Sequence, residues 1–535
     1  MSWNYMDDIR KYEALGYLKK KTLYEELFAE AEKFGEKTAV IDSKGSFTYR
    51  QLIIEIDRYA EHFYALGMRR GDHVILQMPN SNLFVVVLFG LMKIGVQPIL
   101  MLTAQRSQEV LAVSRITNPV AYISVSDYMG VDYTEVIAPV IEQIPSLHSI
   151  LIDGIELKPG MDQAVWKNLS GLKAREQPKQ AARYDDTALY LLSGGTTGTS
   201  KIIPKLQEAY AYNAKSAAER CRLDESTVYM AVLPVSHDLA LANPGILGTL
   251  LNGGTVVLCQ SASFDEAFAM IEQHRVTMTT IVPAIIRVWA EVLDWYEGDF
   301  SSMRQLFVGA AKIDRFTLET LEKRMGIKLQ QGYGLGEGIT CATSLDDDRE
   351  VIYGTQGTPV SPADEMRIIG PDGRILPNGE EGELIEKGPY TFSGYYGNEE
   401  LNKKCFTEDG FFHTGDRAVI RPDGNLVILG RVVEQINRAG ENVVPSEVEA
   451  ILMKHPKIRE ACVFGVPDEK LGEATVACLI ADEPLKRSEI CEYMEEAGVA
   501  SYKYPDRIIL LDHFIYKNVG KVDKNSMREL VEKGE

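Results

Sequence analysis

The sequence predicts an α/β protein: a large N-terminal part of helix-covered sheets, a β-rich subdomain, and a smaller α+β part at the C-terminal end. Three observations predict this. Short apolar runs alternate with helical spacing between residues 51 and 125, and strands arranged that way pair in parallel under covering helices. The same rhythm returns after residue 186. Between 355 and 430 the strands become short and turn-rich, with Pro371-Asp-Gly-Arg, Pro377-Asn-Gly and Pro422-Asp-Gly as breakers.

Taken in order, residues 1–50 give an entry segment, a helix over Thr22–Phe34 and two short strands ending at Phe47-Thr48-Tyr49. Gln51–Leu66 has helical spacing. His73-Val-Ile-Leu-Gln-Met reads as a strand, Asn80–Ile94 as an apolar helix, and Gln97-Pro-Ile-Leu-Met-Leu and Ala121-Tyr-Ile-Ser-Val as further strands. The second set is Ala188-Leu-Tyr-Leu-Leu, Thr227-Val-Tyr-Met-Ala-Val-Leu, Gly254-Thr-Val-Val-Leu and Met278-Thr-Thr-Ile-Val. A compact α+β stretch follows Gly430-Arg431, and no repeat or low-complexity tract appears.

Composition bounds the function. The 535 residues carry 57 Lys+Arg against 77 Asp+Glu, a net charge of −20, which gives no support to a nucleic-acid partner. Hydrophobic residues at 45% and charged residues at 25% allow a sizeable core and exclude a disordered chain. No apolar run reaches the roughly 18 residues of a membrane span, so no membrane partner is expected. The start, Met1-Ser-Trp-Asn-Tyr-Met-Asp-Asp, lacks the basic and apolar regions of a signal peptide. Seven scattered cysteines with no CxxC spacing fit ordinary buried thiols in a reducing cytoplasm rather than a disulfide framework or zinc site.

Three stretches carry chemistry. Ser193-Gly194-Gly195-Thr196-Thr197-Gly198-Thr199-Ser-Lys201 follows an apolar strand; its glycines let the backbone approach an anion, and its hydroxyls and N–H groups suit phosphate oxygens. The lysine does not directly follow the last glycine, so this is not a Walker A loop. Gln331-Gly-Tyr-Gly-Leu-Gly-Glu-Gly338 sets one acid, Glu337, among glycines, and such a carboxylate beside a phosphate loop can hold Mg²⁺. Phe412-His-Thr-Gly-Asp416 precedes Arg421-Pro-Asp-Gly-Asn-Leu-Val-Ile-Leu-Gly-Arg431; an Asp can bond ribose hydroxyls there, and an Arg can reach ribose or phosphate. Taken singly, each has a plain alternative: a Ser/Gly linker, a surface Glu in a turn, a capped hairpin.

Together, in this order and at these separations, they resemble the adenylate-forming superfamily of acyl-CoA synthetases, peptide-synthetase adenylation domains and luciferases. The resemblance spans essentially the whole chain, because Asn518-Val-Gly-Lys521-Val-Asp-Lys looks like the family's loop bearing the catalytic lysine. It implies a large N-terminal domain, 1–430, and a small mobile C-terminal domain, 431–535. It implies that ATP and a carboxylic acid give an acyl-adenylate and pyrophosphate, and that a thiol then takes the acyl group. The thiol would belong to a carrier-protein phosphopantetheine or to coenzyme A; a monomer and a homodimer both remain open. On this likeness Ser193–Lys201 holds the ATP phosphates, Tyr333 stacks on adenine beside Gly334, Glu337 ligates Mg²⁺, Asp416 binds ribose with Arg431 close by, and Lys521 reaches the carboxylate and α-phosphate. An inactive binding protein would be expected to have lost Lys521 or Glu337, and both are present. There are departures: the hinge residue, usually Asp or Lys, falls at Val433, and the usual Gly-Gly-Glu-Asn beside the thiol tunnel is Ala439-Gly440-Glu441-Asn442.

Within the superfamily the chain most resembles the stand-alone 2,3-dihydroxybenzoate-AMP ligases, through Lys93–Gln105, Gln330-Gln331, Ser344-Leu-Asp-Asp-Asp and Gln435-Ile-Asn-Arg-Ala-Gly-Glu. Their acid-pocket motif, His-Asn-Tyr-Pro-Leu-Ser-Ser-Pro-Gly, aligns with His237-Asp238-Leu-Ala-Leu-Ala-Asn243-Pro-Gly245. Asp238 stands where the family has Asn, and relatives that activate β-amino acids carry an Asp at that place. An anionic Asp facing a substrate carboxylate calls for a cation between them, so the sequence favours an amino-bearing acid. The alternative is an aryl acid such as 2,3-dihydroxybenzoate, salicylate or an aminobenzoate, with Asp238 turned away or paired with a local Arg or Lys. Gly309 and Gly332 are expected along the pocket. Gly332 replaces a branched residue and is expected to leave room for a longer substrate.

Overall fold

The computed structural model describes residues 4–157, 161–193, 201–309, 315–431, 435–515 and 522–533. Its architecture is the expected α/β one. A seven-stranded sheet runs Lys201–Leu206, Thr187–Ser193, Gln97–Leu100, His73–Gln77, Ala121–Val125, Ser149–Asp153, Trp166–Asn168. All its neighbours are parallel except the first pair. A nine-stranded sheet has a parallel centre containing Val228–Ala231, Thr255–Leu258, Met278–Ile281, Gln305–Val308 and Lys328–Gly334, with antiparallel strands at both ends.

The helix Asn82–Lys93 explains how the two sheets meet. Its run Phe84–Met92 is buried on every side, and it touches Gln97–Leu100 of one sheet and Thr38–Asp42 of the other. A helix apolar all round has no face for water and belongs between layers. Its neighbour Tyr49–Ala65 starts at a capping box: Thr48 Oγ1 accepts from the Gln51 amide, and Gln51 Oε1 accepts from the Thr48 amide. Thr22 and Glu25 do the same for Leu23–Phe34. The entry segment holds one element that the sequence reading leaves out, the helix Tyr5–Ala14, capped by Asn4 and anchored by buried Ile9 and Tyr12.

Residues 365–431 form a five-stranded antiparallel sheet, the β-rich subdomain. The next sheet begins at Ile436 and joins Glu441–Val443, Ile458–Asp468, Gly472–Ala481 and Arg507–Leu510, with Pro445–Leu452, Arg487–Glu496 and Lys524–Lys533 as its helices. All seven cysteines are free thiols, six of them buried. No helix among the described residues is long and apolar enough to cross a membrane.

Candidate active site

The candidate phosphate loop is held at both ends. Ser193 and Lys201 are direct partners in the antiparallel pair formed by Thr187–Ser193 and Lys201–Leu206, at one edge of the seven-stranded sheet. Gly194, Gly195, Thr196, Thr197, Gly198 and Thr199 lie outside the described residues. The Lys201 ammonium sits 4.8 Å from the centre of the Tyr395 ring. The Tyr395 hydroxyl donates to Glu337 Oε1 at 2.8 Å. Strand ends from one sheet, the Gly-rich turn after the other, and the connection between Glu381–Lys387 and Phe412–Ile420 of the β-rich subdomain therefore converge on Lys201 and Glu337.

Glu337 is 7% exposed, and its carbonyl accepts from the Phe392 amide at 2.7 Å. Its neighbour Gly338 has no space for a side chain: a Cβ there would lie 1.8 Å from Glu386 Oε1. Tyr333 donates its hydroxyl to Asp416 Oδ2 at 2.6 Å, joining the two residues that the sequence assigns to adenine and ribose. Asp416 pairs with Arg431 across neighbouring strands, while the Arg431 side chain lies outside the described residues. Lys521 and Val433 also lie outside them.

The acid-pocket motif folds into a short helix, Asp238–Leu241, capped by His237, whose Nδ1 accepts from the Leu239 amide at 3.3 Å. Both oxygens of Asp238 have protein donors. The Tyr210 hydroxyl reaches Oδ1 at 2.5 Å and the Asn243 amide nitrogen reaches Oδ2 at 2.6 Å. Asn243 Oδ1 in turn accepts from Asn213 and Thr340, at 3.2 and 3.0 Å. Burial pushes the Asp238 carboxyl above its ordinary range, and Lys205, the Tyr210 hydroxyl and His237 pull it back. Leu239 closes over Gly309, where a Cβ would lie 3.1 Å from its Cδ2. At Gly332 the expected extra room is absent. The Phe307 ring occupies it, with Cζ 2.2 Å from where a Cβ would be. The loss of a side chain at 332 is matched by a ring from the next strand.

Several of these residues carry no sequence signal of their own kind. Tyr210 lies in the helix after the phosphate loop, and Phe307 in a buried strand. Lys205 had a signal that strand phase reveals. It shares a face with Ile203, which is buried, so its side chain points inward. Glu386 is a further buried acid, bonded by the Thr391 hydroxyl at 2.8 Å and pushed up to about 7 by burial. Folding therefore binds its proton more tightly, and its contribution to stability is lost as pH rises from the unfolded value toward and through about 7. Glu386→Gln is expected to gain stability relative to the parent between about pH 5 and about pH 8, by on the order of 3 kcal/mol. Paired thermal melts check this; an equal offset at both pH values contradicts it.

The C-terminal sheet closes on the same region. Gly440 comes to Val282, with a would-be Cβ 3.3 Å from Cγ1, and the Glu441 carboxyl, raised by burial, feels the charge of His237. Ala439 holds the left-handed φ of 54° that a glycine takes at little cost, a conformation worth roughly 1–2 kcal/mol against alanine. Farther out, Lys503 is 6% exposed and bonds Glu109 at 3.1 Å and Glu447 at 2.6 Å. Glu109 Oε1 also accepts from the Ala500 amide at 3.1 Å. Removing one side of a buried ion pair costs roughly 3–5 kcal/mol. Lys503→Met is thus expected to loosen the contact between Ser107–Thr117 and the C-terminal part. Hydrogen exchange should show both sides of that contact opening faster, and unchanged protection there would contradict it.

Comparison with known proteins gives the chain its family. The AMP-binding enzyme family model matches residues 27–396, and the AMP-binding enzyme C-terminal domain model matches 447–521. The chain is 39% identical to a 2,3-dihydroxybenzoate-AMP ligase of Bacillus subtilis over 502 residues, covering 94% of this chain and 92% of that protein. It is 36% identical to a salicyl-AMP ligase / salicyl-S-ArCP synthetase of Mycobacterium tuberculosis, covering 97% and 93%. The apo structure of MbtA from Mycobacterium smegmatis superposes with a TM-score of 0.74 at 34% identity, covering 99% of this chain and 98% of that one. With both family models matched along its length and the phosphate-loop ends, Glu337, Tyr333 and Asp416 drawn to one region, the chain belongs to the AMP-binding enzyme family and is an adenylate-forming ligase.

Proposed function

We propose that this ligase activates a hydroxylated aryl acid, of the 2,3-dihydroxybenzoate or salicylate kind, and passes it to the phosphopantetheine thiol of a carrier protein. One observation carries the choice of acid. Both oxygens of Asp238 are already bonded, by Tyr210 and Asn243. The carboxylate is held by two donors of the protein itself, and Lys205 is the strongest charge acting on it, so it needs no substrate ammonium. The named relatives act on such acids, which supports the same reading. It replaces the amino-bearing acid that the sequence favours.

In this reading residues 1–430 bind ATP and acid, and residues 431–535 bring Lys521. The Ser193–Lys201 loop holds the phosphates, Tyr333 and Gly334 lie against adenine, and Asp416 and Arg431 hold ribose. His237, Asp238, Gly309 and Gly332 line the acid pocket. The acid's carboxylate attacks the α-phosphate; the new bond is an acyl–phosphate anhydride, and pyrophosphate leaves. Two anions meet in this step, so cationic groups aimed at the developing charge matter most. Lys201 and Lys521 serve that purpose. Among the described residues no three His, Cys, Asp or Glu side chains cluster as a self-sufficient metal site. Mg²⁺ takes one or two carboxylates and completes its shell with substrate phosphates and water. Glu337 would be its protein ligand, and the metal would draw charge from the departing pyrophosphate.

An acid panel in pyrophosphate exchange tests the proposal. Exchange should depend on hydroxybenzoates and not on β-amino acids; the reverse order would return the site to the amino-bearing reading.

A further inference from the structure

Lys205 is a buried cation to which the proposed reaction assigns no part. It is 2% exposed. Its ammonium donates to the carbonyls of Gly336 at 2.9 Å and Tyr390 at 3.3 Å. It stands 5.2 Å from the centre of the Tyr210 ring, and that ring's hydroxyl is the donor to Asp238. A cation near a phenol ring draws electron density from it and strengthens its O–H as a donor. The chain ammonium–ring–hydroxyl–carboxylate thus couples Lys205 to the wall of the acid pocket.

Burial lowers the Lys205 pKa, and three carboxylates oppose that, Asp238 most strongly, then Glu386 and Glu337. Seen from Asp238, Lys205 is likewise the strongest charge acting against the burial penalty. The two charges belong to one low-dielectric region, where such pairing is worth far more than in water.

We propose that Lys205 is a specificity-determining residue, supplying the countercharge of Asp238 from inside the protein and so turning the pocket against acids that bring their own ammonium. This rests on the reading that Asp238 lines the acid pocket. With Lys205 present the wall is neutral, and a substrate hydroxyl can still donate to a free lone pair of Asp238. An ammonium entering the same place meets a cation already there.

The test uses a matched pair of ligands, an aminomethylbenzoate and the corresponding hydroxymethylbenzoate, which differ mainly in charge at neutral pH. Each is measured as an inhibitor of hydroxybenzoate-dependent pyrophosphate exchange in the full-length enzyme. The wild type should prefer the hydroxymethyl compound. Lys205→Gln keeps N–H donors for the two carbonyls and removes the charge, so the preference should move toward the aminomethyl compound by about tenfold or more, about 1.4 kcal/mol. Lys205→Arg should keep the wild-type ratio. Asp238→Asn should move the preference the other way, and the double variant Lys205→Gln, Asp238→Asn should return close to wild type. If Lys205→Gln does not fold alone, the comparison of Asp238→Asn with the double variant still isolates the Lys205 charge. An enzyme that binds both compounds with the same ratio in wild type and Lys205→Gln, or in Asp238→Asn and the double variant, overturns this inference and leaves the aryl-acid reading standing. A wild type that binds neither compound overturns this inference alone, whereas an enzyme with no hydroxybenzoate-dependent exchange overturns the aryl-acid reading on which it rests.

Discussion

Lys521→Ala should slow acyl-adenylate formation by about 10²–10³-fold or more, the loss that follows removal of a preorganised charge partner from a transition state. The carboxylate and the α-phosphate repel each other as they approach, and in the proposed reading the Lys521 charge would offset the negative charge that builds on the oxygens around the α-phosphorus in that step. Thioester formation from a supplied acyl-adenylate needs no such partner, because the mixed anhydride is already activated. That half-reaction should change far less. Pyrophosphate exchange measures the first step and thioester formation from synthetic adenylate the second. Equal losses in both would take Lys521 out of its assigned role and point to a damaged C-terminal part.

Glu337→Gln should lower magnesium-dependent adenylation by at least about 10–100-fold, since even outer-shell partners of a metal cost that much when removed. The amide keeps the volume of the acid and can still accept from the Tyr395 hydroxyl, so the fold should hold. What it lacks is the negative oxygen that a hard cation prefers. The loss should shrink as magnesium concentration rises, because weaker binding is offset by mass action. A variant that matches the parent across the whole titration would remove Glu337 from the metal.

Much of the fold was legible in the sequence because its strands and helices advertise their own environment. His73–Gln77 and Ala121–Val125 are short apolar runs flanked by helical spacing, and both lie in a parallel sheet. Thr22 with Glu25 marks a helix start in sequence and caps one in the structure. The helix Tyr5–Ala14 escaped because only its Ile9 and Tyr12 are buried, too few apolar positions to stand out. The phosphate-loop ends, Glu337, Tyr333 and Asp416 stood out as candidates in the sequence because glycines lie beside them and the proposed chemistry restricts their type. The acid pocket was only half legible. Asp238 could be read as a lone anion awaiting a cation, since Tyr210 and the nearby Lys205 lie outside the motif and Asn243 within it does not show in sequence that it turns toward Asp238. The room expected at Gly332 failed for the same reason: Phe307, which fills it, is distant in sequence. The Lys503–Glu109 bond joins residues 394 positions apart, and no local pattern could announce it.

The most direct test of the account is to identify the adenylate itself. The enzyme is given ATP, Mg²⁺ and an equimolar mixture of 2,3-dihydroxybenzoate, salicylate and several β-amino acids, without an acceptor thiol, and the products are read by mass spectrometry. A hydroxybenzoyl-adenylate formed ahead of every aminoacyl-adenylate is the predicted result. An aminoacyl-adenylate as the dominant product would contradict the assignment of the pocket, with Asp238 then paired to the substrate rather than to its own wall.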